Sequence, residues 1–169
     1  MKYVLIGAGS RGTIYSTWAA KNGIEVAAIA ELRPDRLHAL ADAVGVPQSG
    51  RYPSADALFA AGKLGDAALI CTQDQDHYGH AMQALDLGYD LLLEKPISPS
   101  PKECMEIEAK AKALGRKVTV CHVLRHKFLR YAERNSDIRR TGQGHCHQAL
   151  GKYRQFPHGP FLRPGQLGH

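Results

Sequence analysis

The stretch Met1 to Gly12 reads MKYVLIGAGSRG, and its reading decides the fold. Tyr3 to Ile6 is an apolar run, too short for a helix. Gly7-Ala8-Gly9-Ser10-Arg11-Gly12 follows, and then a helix-like stretch from Thr13 to Lys21. A strand, then G-x-G-x-x-G, then a helix is the context that turns a common hexapeptide into a dinucleotide-binding signal. Each glycine has a separate task. Gly7 permits the tight turn, Gly9 lets backbone approach a pyrophosphate, and Gly12 lets the helix pack close to the strand. Ser10 and Arg11 stand where the free N–H groups of the helix's first turn face phosphates.

Beyond that stretch, strands and helices alternate. Glu25 to Ala30 reads as a buried second strand. Arg33 to Val44 carries Leu37, Leu40, Ala41 and Val44 at helical spacing, and Gly45 and Pro47 end it. Arg51 to Pro53 is a short connection with room for a brief strand. Ser54 is the natural N-cap of a helix over 55–61. Ala67 to Cys71 is the next buried strand, His77 to Leu87 a helix with Ala81, Met82 and Leu85 inward, and Asp90 to Leu93 a strand. Pro99 to Leu114 is a helix closed by Gly115, and Lys117 to Cys121 the last strand. The strands are continuous apolar runs, which marks a parallel sheet covered on both faces. The fold class expected is α/β, a doubly wound parallel sheet.

Chemistry-bearing residues gather at the carboxyl ends of these strands, where open α/β sheets bind ligands. Glu31 ends the second strand, 19 residues beyond Gly12. An acid at that distance can hydrogen-bond both ribose hydroxyls, which favours NAD. Arg33 and Arg36 keep NADP open, because an arginine here can hold a 2′-phosphate; a solvated strand-end charge is the plain alternative for Glu31. Cys71 and Thr72 end the fourth strand, and His77 follows by a short loop, within reach of a cofactor or merely starting a helix. Glu94-Lys95-Pro96 ends the fifth strand. Pro96 restricts Lys95 to an extended backbone. A lysine whose pKa is lowered by burial or by a cofactor's positive ring can act as a general base, with Glu94 orienting it. The alternative is a plain surface Glu-Lys pair. His122, after the last strand, again stands at a carboxyl end; a partly buried structural histidine is the plain alternative. His145-Cys146-His147 matches no usual zinc spacing, so no metal is expected.

The net charge of +6 conceals a division. Residues 1–124 carry 13 Lys+Arg against 14 Asp+Glu, while residues 125–169 carry 9 against 2. The boundary falls near Leu124: a domain over 1–124 and a basic tail over 125–169. The four cysteines show no C-x-x-C spacing and suggest no disulfide framework, and Cys71 and Cys121 sit in apolar runs like buried thiols. No run has the length of a membrane span or the form of a signal peptide, so a soluble, cytoplasmic setting is the default expectation.

Together, GAGSRG after the first strand, Thr72 and His77 after the fourth, Glu94-Lys95-Pro96 after the fifth and Cys121-His122-Val-Leu-Arg125 at the last resemble the Gfo/Idh/MocA family of oxidoreductases. The resemblance covers residues 1 to about 125, and E-K-P is its most specific mark. It implies an N-terminal Rossmann domain that binds NAD or NADP. It also implies a larger C-terminal α/β domain that supplies much of the substrate pocket and the oligomer contacts, and a sugar- or polyol-like substrate. It gives Lys95 the part of assisting hydride transfer, Glu94 that of its neighbour, and Gly7, Gly9, Gly12 and Glu31 the cofactor contacts. Gln73-Asp74 stands where the family often has Pro-Asn.

No counterpart of the C-terminal domain is legible after Arg125, so the expectation is a truncated cofactor domain, inactive alone and without the family's oligomer contacts. The tail is rich in arginine and has no sustained apolar period. Back-translating residues 126–169 and reading one nucleotide later permits a protein-like product, with a helical period ATLKEIL, a stop SGELG and a strand KVIAIKHW. A shifted reading frame would give such a tail, and the expectation is that it is non-native and poorly ordered. Two further functions compete: a non-catalytic nucleotide-binding module, and nucleic-acid binding through the tail, whose Tyr131, Tyr153, Phe156 and Phe161 lie among arginines. A shifted frame makes that last pattern accidental, so no nucleic-acid partner is expected.

Overall fold

The computed structural model describes residues 1–122. The basic tail over 125–169, its expected helix at Lys127 to Glu133, the His145-Cys146-His147 triplet and the frame-shift reading lie outside the described residues.

Six strands and five helices alternate. They are β1 (Lys2–Ile6), α1 (Ser10–Lys21), β2 (Glu25–Ala30), α2 (Pro34–Val44), β3 (Arg51–Tyr52), α3 (Ala55–Ala60), β4 (Ala67–Ile70), α4 (His77–Asp86), β5 (Asp90–Leu93), α5 (Pro101–Ala113) and β6 (Val118–Val120). All the strand pairings are parallel, in the order β3-β2-β1-β4-β5-β6. This is the doubly wound order of a dinucleotide-binding fold, and the order in which strands are added reverses between β1 and β4.

Successive strand residues face opposite sides, and the core divides accordingly. Val4, Ile6, Ala28, Ala68, Ile70, Leu91 and Leu93 face α3, α4 and α5, where Leu58, Leu85 and Ile107 meet them. Tyr3, Leu5, Val26, Ile29 and Leu69 face α1 and α2, where Ala19, Leu37, Leu40 and Ala41 meet them; Val26 and Ala28 fall on opposite sides because the register with β1 slips between them. Because both faces are covered, the strands read as unbroken apolar runs.

Element ends differ slightly from expectation, and each has a cause. Helix α1 begins at Ser10 rather than Thr13, since the Thr13 N–H already bonds to the Gly9 carbonyl at 2.9 Å. Helix α5 begins at Pro101 rather than Pro99. Ser100 caps it by accepting from the Glu103 N–H, and the Ser98 hydroxyl accepts from the Ser100 N–H at 2.9 Å, so Pro99 belongs to the approach. Ser54 caps α3 through the Ala57 N–H at 3.1 Å. On α4 the inward set is Ala81, Ala84 and Leu85, with Met82 half-buried at its margin.

The amino ends of the central strands are tied together. Asp66 accepts from the Lys2 N–H at 2.9 Å and returns its own N–H to the Lys2 carbonyl at 2.8 Å. Tyr89 is fully buried; its hydroxyl accepts from the Leu64 N–H at 2.7 Å and donates to the Gly62 carbonyl at 3.2 Å. The cleft lies at the carboxyl ends.

Candidate functional site

The turn after β1 is built on what a side chain would strike. Gly7 has φ +95°, and a Cβ there would lie 2.7 Å from the Cys71 carbonyl oxygen. Gly12 presses α1 against the turn: its Cβ would lie 2.1 Å from the Gly7 carbonyl oxygen and 3.2 Å from Leu5 Cδ1. Gly9 is the opposite case, since a Cβ there meets nothing within 4 Å. The open side of Gly9 lies at the start of α1, whose first N–H groups have no intrahelical acceptor. The first turn holds no acidic residue and does hold Arg11. A partial positive charge and free N–H donors therefore face an open backbone surface, which fits a diphosphate.

Glu31 continues from β2 beside this turn. One carboxylate oxygen accepts from the Ala8 N–H at 2.7 Å and the other from the Arg33 N–H at 3.0 Å. A carboxylate has about four acceptor positions, so two remain for a ribose diol. The Arg33 guanidinium turns instead to Asp35 at 2.8 Å, and this bond holds the Asp35 carboxyl below its usual range. Arg36 lines the adjoining cleft.

That cleft, of about 320 Å³, runs from Gly7, Gly9 and Glu31 to Cys71 and Thr72, with Ser54, Asp56, Asp76 and His80 on its far wall. The Thr72 hydroxyl and His80 Nδ1 are 3.1 Å apart. Burial lowers the His80 pKa. Burial also pushes the Cys71 thiol up, and lifts Cys121 to about 11, so both stay protonated near neutrality.

At the end of β5, Glu94 is 5 % exposed, an unusual place for a carboxylate. One oxygen accepts from the Tyr15 hydroxyl of α1, and Arg11 Nε stands 4.0 Å from that oxygen. The other accepts from the Lys95 N–H at 2.9 Å. The Lys95–Pro96 peptide is cis, and the Lys95 side chain is exposed with no ion-pair partner among the described residues.

The expected residues thus fall into two groups and one outlier. Gly7, Gly9, Glu31, Cys71 and Thr72 line the cleft, with Ser10, Arg11 and Gly12 in the helix turn at its mouth. Glu94 and Lys95 close the end of β5. His77 stands apart: it is 1 % exposed, and its Nδ1 donates to the Pro96 carbonyl at 2.7 Å. Its Nε2 is buried without a partner. His77 braces the Lys95-Pro96 bend from behind, and His80, one turn later, faces the cleft. Sequence reasoning missed His80 and Tyr15. Nothing local marks either; only the i, i+4 pairing of Arg11 with Tyr15 places them on one face of α1. Among the described residues, no group of three or more His, Cys, Asp or Glu could hold a metal, and no helix is long and apolar enough to cross a membrane.

A family model described as oxidoreductase family, NAD-binding Rossmann fold, matches residues 1–122. The chain is 26% identical over 130 residues to a D-glucoside 3-dehydrogenase of Escherichia coli (strain K12), covering 76% of this chain and 36% of that protein. It is 29% identical over 146 residues to an inositol 2-dehydrogenase of Pseudarthrobacter chlorophenolicus, covering 85% of this chain and 42% of that one. Among solved structures, an oxidoreductase from Agrobacterium radiobacter in complex with NAD+, L-tartaric acid and magnesium superposes with a TM-score of 0.64 at 28% identity, covering 72% of this chain and 35% of that one. The chain therefore spans well under half the length of these relatives.

Proposed function

The chain belongs to the Gfo/Idh/MocA oxidoreductases through its NAD-binding Rossmann domain, and from that membership we propose that it serves an NAD-dependent dehydrogenase acting on a sugar- or polyol-like substrate. The observation that carries the reading is the open backbone at Gly9, set between the start of α1 and the Glu31 carboxylate. Beside the open face of Gly9, the N–H groups of Ser10 and Arg11 would hold the diphosphate. Glu31 holds the adenosine ribose. A 2′-phosphate there would meet its negative charge, so NAD binds more tightly than NADP, even with Arg36 nearby. Thr72 and Cys71 border the path from that ribose toward β5. When bound, the nicotinamide exchanges a hydride with the substrate carbon. Lys95 Nζ stands ready to move the substrate hydroxyl proton; Glu94 accepts the Lys95 N–H, and His77 donates to the carbonyl of Pro96 that follows. The names of the dehydrogenase relatives support the substrate class. A cytoplasmic location and a homo-oligomer of the full-length protein belong to the same reading.

Gly9→Val tests it. The Cβ of a branched side chain there meets nothing of the protein within 4 Å, so NAD affinity measured by calorimetry should fall at least tenfold while the chain still folds; unchanged affinity would sink the assignment. In a full-length protein carrying this domain, Lys95→Met should cut turnover far more than cofactor binding. A non-catalytic nucleotide-binding module is the second reading, favoured by the place of Lys95 outside the lining of the cleft. Cofactor binding without turnover of any polyol, by the full-length protein, is the result that would select it.

A further inference from the structure

The Glu94 carboxylate is a buried charge that nothing in the cleft explains. A carboxylate at 5 % exposure is stable only when its oxygens are occupied. Its two oxygens are divided between two elements: one takes the Tyr15 hydroxyl from the middle of α1, and the other takes the Lys95 N–H at 2.9 Å. Arg11, one helical turn before Tyr15, adds its guanidinium at 4.0 Å from the same oxygen that Tyr15 occupies. The missing side chain of Gly12 lets helix α1 lie close against the Gly7 carbonyl.

We propose that Tyr15 is a positioning residue for the turn at Lys95: its hydroxyl fixes one oxygen of Glu94, so that the other is aimed at the Lys95 backbone. The link joins the helix that begins at the Gly9 turn to the residue assigned the proton step, so it rests on the function proposed above. Burial, and then the hydrogen bond to Glu94, hold the Tyr15 phenol well above its ordinary pKa, so it stays a donor at every working pH. The ring alone fills space; the hydroxyl alone aims the carboxylate. Tyr15→Phe separates these two.

The experiment is amide hydrogen exchange on the full chain, read at single residues. In Tyr15→Phe the Lys95 amide should exchange about tenfold faster or more, the loss of one charged hydrogen bond, while amides of β1 and β4 keep their rates. In a Glu94→Gln background the same substitution should add nothing, since the two residues act through one another. An unchanged Lys95 rate in Tyr15→Phe overturns the proposal, and so does equal acceleration at every strand, which is the mark of a merely structural residue. Should Tyr15→Phe fail to fold, Glu94→Gln reports from the other side: the ring signals of Tyr15 should shift, and an unmoved Tyr15 overturns the link. Neither variant touches the Gly9 turn. Failure of the unmodified chain to bind NADH would therefore count against the proposed function and leave this test intact.

Discussion

At Gly12 a single hydrogen atom decides whether α1 can reach the sheet. A methyl group there would stand 2.1 Å from the Gly7 carbonyl oxygen, which is backbone and cannot swing away. Gly12→Ala should cost about 3 kcal/mol, the upper end of overpacking, read as a lower denaturant midpoint. Gly9→Ala is the control: with no neighbour within 4 Å it should stay within about 0.5 kcal/mol of the parent in the same unfolding experiment. The two glycines look alike in sequence, and their roles could be assigned only because the hexapeptide stands between a strand and a helix. The position of Glu31 beside that turn could be read for the same reason. Its distance from Gly12 is set by one helix and one strand, both local. Glu31→Ala should lose about 1.5–3 kcal/mol of NAD affinity by calorimetry, the worth of a charged hydrogen bond. Tyr15 was not legible. It meets Glu94 across 79 positions of chain, and only the folded sheet brings α1 to the end of β5. The choice between His77 and His80 was equally hidden. A single 3-10 turn, Asp74–Asp76, precedes α4, and it sets which of the two histidines faces the core.

Among the elements, the strands were read nearly to the residue. Continuous apolar runs bounded by Gly and Asp leave little freedom, and β2 and β5 begin and end as expected. Helix starts were read less well, because a cap is a side-chain bond and several serines compete for it. At α5 the candidates Ser98 and Ser100 flank Pro99; Ser100 takes the Glu103 N–H, while Ser98 supports Ser100 and also bonds the Glu103 carboxylate. Ser100→Ala should therefore destabilise by about 1 kcal/mol in thermal or denaturant unfolding, the ordinary worth of an N-cap. Helix α5 stands over Leu91 and Leu93 through Ile107 and Ala111. Its loss would be felt in β5, and so in the approach to Lys95.

For the whole molecule, charge is spread unevenly along the chain. The basic excess lies wholly in residues 125–169, while the cleft and every residue proposed to meet the dinucleotide lie before residue 96. A chain ending at Leu124 should therefore bind NAD with the affinity of the whole chain; a loss beyond threefold, by calorimetry at physiological salt, would assign the tail a part in binding.

Tyr89 has a consequence for anyone who would rebuild this domain. Its hydroxyl ties the Gly62–Leu64 loop to the start of β5 at the end of the sheet away from the cleft, with the Lys2 and Asp66 pair alongside. Cohesion and recognition thus occupy opposite poles. A library that randomises the loops after β2 and β4 should keep most of its members folded while it varies the molecules they accept. One that randomises residues 62–66 should lose its members before any selection for binding begins.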